Sequence, residues 1–155
     1  MMKLTSVPVK LTAPFATSWL LVLGLLIGCT EAIECQLFNN SRYTVQVIRQ
    51  SGSTIERLEL SPEGTISLGS WTSSSFFIVR GDKAWMFTPA FPPESSVKRE
   101  GVGPWSKRRV QVQLEADGNL YVLPSSAQPP IARIPDQPSG FPLIGSAIEL
   151  SGVPN

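Results

Sequence analysis

The sequence predicts an all-β fold, an antiparallel β-sandwich or barrel of about eight short strands, on three observations. Beyond position 35 apolar residues recur at alternate places, the period of a strand with one buried face. The runs they form are short. Turn residues (Asn, Asp, Gly and Pro) separate them, and no stretch of useful length carries a helical period.

Gln36-Leu37-Phe38 opens the domain and gives way to Asn39-Asn40-Ser41, whose side chains bond nearby backbone and so favour a turn. Tyr43–Arg49 alternates, with Tyr43, Val45 and Val47 on one face. Ser51-Gly52 separates it from Thr54–Leu60. Ser61-Pro62-Glu63-Gly64 has the residue order of a type I turn and leads to Thr65–Leu68. Ser75–Val79 is aromatic and β-branched and suits a central strand. Gly81-Asp82 is a two-residue hairpin turn into Ala84–Thr88. Pro89, Pro92 and Pro93 end that strand, because proline donates no N–H to a ladder. Arg109–Glu115 alternates with Val110, Val112 and Leu114 inward, and Asp117-Gly118 turns it into Asn119–Leu123. Val45, Val47, Phe77, Val79, Val110, Val112 and Leu114 are expected to share one core.

The chain divides into three parts: an export signal over residues 1–32, the β domain over 33–123 and a Pro-rich C-terminal tail over 124–155. The tail holds seven prolines in its 32 residues, yet Ile131, Phe141, Leu143 and Ile148 make it too apolar for a solvated linker. It lies along the domain or binds something else.

In the first part, Lys3 and Lys10 precede Trp19–Ile27, nine uninterrupted apolar residues. That is the length of a signal-peptide core and well short of the roughly 20 needed to span a bilayer. Two cuts are open. Leu26-Ile27-Gly28-Cys29 resembles the lipobox of bacterial lipoproteins, although Ile27 stands where Ala or Ser is more usual. The resemblance implies cutting before Cys29, lipidation of Cys29 and membrane anchoring on the periplasmic side. Thr30-Glu31-Ala32 is an ordinary signal-peptidase site instead, and cutting there releases a soluble periplasmic or secreted protein starting at Ile33. Further on, Phe38-Asn39-Asn40-Ser41, Val45-Gln46-Val47, Leu60–Gly64 with Ile66, Phe77-Ile78-Val79, and Gly81 with Trp85 together resemble small secreted bacterial β-sandwich proteins of unassigned function. That resemblance implies a fold and carries over no site residues.

Composition narrows the function classes. Histidine is absent, which removes the commonest general base and metal ligand. Thirteen Lys and Arg face 12 Asp and Glu, a net charge of +1, and from Cys29 onward 11 face 12. So balanced a chain has no general attraction to nucleic acid. Glu56/Glu59 and Glu115/Asp117 have no spacing that fixes a carboxylate pair in one cleft, and Met86 with Cys35 is not a metal site. No enzyme activity and no cofactor is expected. Cys35, left alone once Cys29 is lipidated or discarded, reads as a small buried hydrophobe.

Two surface features remain. The segment Val97–Arg109 carries Lys98, Arg99, Lys107, Arg108 and Arg109 against Glu100, a local excess of +4, in what Gly101, Gly103 and Pro104 mark as a loop. Trp105, Lys107, Arg108 and Arg109 are the candidate partner-binding residues, for an envelope protein or an anionic surface. The expectation is a non-catalytic envelope protein that binds a protein partner or supports an envelope assembly. The alternative is a carbohydrate- or peptidoglycan-binding module that stacks sugars on tryptophans. Of these, Trp71 and Trp105 lie beside turns and Trp85 lies within a strand.

Overall fold

The computed structural model describes residues 32–71, 75–102 and 106–154. The expected export segment up to residue 31, with Cys29, and Trp105 fall outside the described residues. Among the described residues ten strands form two sheets. They are β1 (Ile33–Asn39), β2 (Val45–Ser51), β3 (Thr54–Leu60), β4 (Thr65–Ser70), β5 (Phe76–Arg80), β6 (Lys83–Phe87), β7 (Val97–Glu100), β8 (Lys107–Leu114), β9 (Leu120–Val122) and β10 (Ser146–Ile148). One sheet runs β4-β1-β8-β7, with β9 also on β8; the other runs β10-β6-β5-β2-β3. The fold is an all-β sandwich and not a closed barrel.

One pairing departs from the antiparallel expectation. β1 and β8 are parallel in register from Ile33↔Arg108 to Asn39↔Leu114. No hairpin can make such a pair, since parallel neighbours need a crossover, and the chain between these two strands builds most of the second sheet. With β1 and β8 central, Ile33, Cys35, Leu37, Val110, Val112 and Leu114 meet Val45, Val47, Phe76, Ile78 and Phe87 of the facing sheet in one core. Cys35 is fully buried, and burial pushes its thiol pKa well up.

The phase expected for β5 is reversed. Phe76 and Ile78 enter the shared core, while Phe77 and Val79 pack on the opposite side of the sheet with Ile48, Ala84 and Val153. Phe76-Phe77-Ile78-Val79 is apolar on both faces, so alternation cannot choose a face there. The turn at Ser61–Gly64 also differs. Glu63 has φ 61°, a positive angle at the third turn position, which belongs to type II rather than type I. Its N–H donates to the Asn39 carbonyl at 2.8 Å, which holds that conformation.

The Pro-rich tail lies along the domain and completes it. Residues Glu31–Asn155 form one compact unit. Leu143 exchanges both backbone hydrogen bonds with Leu120, and β10 then pairs with β6, so the tail straps one sheet to the other. Close approach at Gly145 makes this possible. A Cβ there would sit 2.7 Å from Phe87 Cζ and 2.8 Å from Trp85 Cβ. Phe141, Leu143 and Val153 are buried. Two glutamine amides replace missing strand neighbours. Gln137 accepts from the Val122 N–H at 2.9 Å and donates to the Val122 carbonyl at 3.2 Å, and Gln113 does the same for Ile131.

Candidate functional site

The segment expected as a basic loop is instead mostly a strand hairpin. Val97–Glu100 forms β7 and pairs with the start of β8, in the register Lys98↔Arg109, Arg99↔Arg108 and Glu100↔Lys107. Strand alternation therefore divides the cations. Lys98, Lys107 and Arg109 fall on the outer face, opposite in parity to buried Val97 and Val110. Arg99 and Arg108 share the parity of the core residues and sit at the rim, where the sandwich ends.

Each group carries its own counter-ions. Arg109 lies between two carboxylates, Glu100 at 2.8 Å and Glu34 at 3.4 Å, and Lys98 pairs with Glu100 at 3.2 Å. Glu34 also accepts from the Ser67 hydroxyl at 3.0 Å. That bond outweighs partial burial and, with Arg109, holds the Glu34 carboxyl below its ordinary range. At the rim, Glu94 pairs with Arg108 and, at 3.8 Å, with Arg99. The single patch of +4 is thus replaced by two networks in which four cations face three carboxylates, with exposed Lys107 beside them. Glu94 and Glu34 were invisible as partners in the sequence, because Glu94 reaches its arginines through a 3-10 turn (Glu94–Ser96) and Glu34 through the parallel strand pair.

Access also differs among the candidate residues. Arg108 and Arg109 side chains are 16% and 20% exposed and serve the fold as ion-pair partners. Lys107 is exposed, and so is Arg99, at 65% of its side chain. Free charge is therefore offered by Lys107 and Arg99 more than by the two arginines of β8. Val102, just past β7, is 93% exposed.

The tryptophans do not assemble a stacking platform among the described residues. Trp71 is 2% exposed, donates its Nε1–H to the Ala90 carbonyl and stacks on Phe141 with ring centroids 6.3 Å apart. Trp85 is partly buried, with the Arg80 guanidinium 5.4 Å from its ring and 4.8 Å from that of Tyr43. The carboxylates raised as possible pairs are engaged separately. Glu56 pairs with Arg49 at 2.5 Å, and Glu115 accepts from Asn40 at 2.9 Å and from Gln113. Asp117 accepts from the Tyr121 hydroxyl at 2.7 Å and from Asn119. Burial raises the Asp117 pKa, but these bonds outweigh it and hold the carboxyl below its ordinary range.

The fold and site together define a small β-sandwich with one parallel central pair and an ion-paired basic hairpin at one end. Comparison with known proteins found no match among family models, curated proteins or solved structures.

Proposed function

We propose that this protein is an exported, non-catalytic component of a bacterial cell envelope, anchored through a lipid on Cys29, and that its sandwich docks onto an acidic or phosphate-bearing surface through the β7–β8 hairpin. The observation that carries the reading is where the fold starts. Ile33, four residues after Cys29, is 2% exposed and opens a central strand. Cutting before Cys29 leaves every described strand intact, as cutting after Ala32 does, and would put the anchor four residues ahead of the first strand. The absence of histidine and the separate engagement of Glu56, Glu115 and Asp117 support a binding role over a catalytic one.

Metabolic labelling with a palmitate analogue tests the anchor. The wild type should incorporate label, and Cys29→Ala should abolish it and block maturation. An unlabelled wild type that begins at Ile33 would establish the soluble form instead. A pull-down from envelope extract then tests docking. Binding should weaken as salt rises and on exchange of exposed Lys107 for Glu.

A further inference from the structure

The entry point of the chain, its exposed apolar side chains and its charge distribution converge on one end of the sandwich. β1 starts at that end with Ile33, opposite Arg108. β7 ends and β8 begins there, since Glu100 faces Lys107, and Val102 lies two residues past β7. The Ile33 carbonyl accepts from the Trp71 N–H, and Trp71 holds Ala90, which places the Pro89–Pro93 connection beside the same end. Phe91 in that connection is 74% exposed. Among the described residues, two of the five exposed large apolar ones, Phe91 and Val102, thus lie where the chain enters. A peptide spans at most about 3.5 Å per residue, so a lipid on Cys29 lies within about 14 Å of Ile33 by any path.

Charge points the same way. With exposed Lys107 beside the four ion-paired cations, this end holds five cations against three carboxylates. The far end, where β1 finishes at Asn39, gathers the turns after β3, β5 and β8. Those turns and the loop after β1 carry Glu63, Asp82, Glu115 and Asp117 against Arg42, Arg80 and Lys83. The molecule is therefore polar along the strand direction, positive where it would be tethered.

We infer that the β1-entry end is a membrane-docking face, on which Arg99 and Lys107 meet anionic lipid headgroups while Val102 and Phe91 enter the interfacial layer. The inference rests on the lipid anchor at Cys29 proposed above. Cations beside exposed apolar side chains suit this layer, because anionic headgroups attract the charge and the acyl boundary accepts the apolar groups. Docking of this kind would fix the orientation of the domain on the membrane to which the acyl chains tether it.

The test uses the purified full-length mature protein in vesicles containing brominated lipids. A fluorophore is attached through Val102→Cys or, at the far end, through Tyr43→Cys. Buried Cys35 does not compete for the label. In vesicles of phosphatidylglycerol and phosphatidylcholine the label at 102 should be quenched and the label at 43 should not. Phosphatidylcholine alone should give little quenching. Lys107→Glu and Arg99→Glu should each cut partitioning of the docked state roughly fivefold or more, and high salt should do the same. An acylated protein whose label at 102 stays unquenched, or is quenched no more than that at 43, overturns docking and leaves the anchor standing. A protein that lacks acyl chains but is quenched at 102 sustains docking and overturns the anchor. Quenching at 102 that appears only when an acidic envelope protein is added overturns the lipid face in favour of a protein partner.

Discussion

The side-chain amide of Gln113 and the backbone of Ile131 exchange two hydrogen bonds of 3.1 Å each, as two adjacent strands would. Gln113 is fully buried, and the bonds fasten the Pro-rich tail to the outer face of β8. Gln113→Ala leaves a backbone donor and acceptor without partners, at about 1–3 kcal/mol for each buried group left unsatisfied. Urea denaturation should show a loss of roughly 2–4 kcal/mol. An unchanged midpoint would mean that the tail is not held by this contact.

The strap across the two sheets depends on Gly145. Gly145→Ala places a methyl group against Phe87 and Trp85, and crowding of this kind costs about 1–3 kcal/mol. The melting temperature should fall, and the amides of Ser146–Ile148 should exchange with solvent faster than in the wild type. Unaltered exchange at those amides would contradict the strap.

Phe76 and Phe77 separate the two faces of β5. Phe76 stacks on Phe87 at 5.5 Å within the shared core, and Phe77 lies under the tail with Val153. Phe76→Ala should cost about 3–5 kcal/mol and Phe77→Ala clearly less. Equal or reversed losses on chemical denaturation would show that the strand has the opposite phase.

Stability should decline in acid partly through Glu34. Its carboxyl is held below the ordinary value of 4.5 by the Ser67 hydroxyl, against partial burial, and by Arg109. A carboxylate with a depressed folded-state pKa adds stability that is present above its unfolded pKa and is lost as pH falls through the folded value. The wild-type melting temperature should therefore drop between about pH 5 and 3, and Glu34→Gln should drop less steeply over that interval. Parallel curves for the two proteins would remove Glu34 from the account.

The legibility of the fold varied with how asymmetric each strand is. β2 and β8 alternate between apolar and polar, so Val45, Val47, Val110, Val112 and Leu114 were placed correctly in the core. Asn39-Asn40-Ser41 read as a turn and is one. Asn39 is fully buried there, donating to the Tyr43 and Leu60 carbonyls and accepting from Ser41. β5 hides its phase because it is apolar on both sides. β7 is not legible because Val97-Lys98-Arg99-Glu100 has one apolar residue in four, and its charges are paired through the 3-10 turn before it and the strand it pairs with. β10 leaves no local signal because its pairing rests on Gly145 and the path of the tail rather than on local preference. For the same reason the basic hairpin was recognisable as cationic, but the counter-ions Glu34 and Glu94, which leave Lys107 and Arg99 as the accessible charges, were not.

On the proposed reading, the sandwich is tethered by a lipid four residues ahead of its first strand. The mass of the N-terminal peptide, released from protein purified out of the envelope, tests it most directly. The expected peptide begins at Cys29 and carries the added mass of acyl chains. A peptide that begins at Ile33 with no added mass would contradict it.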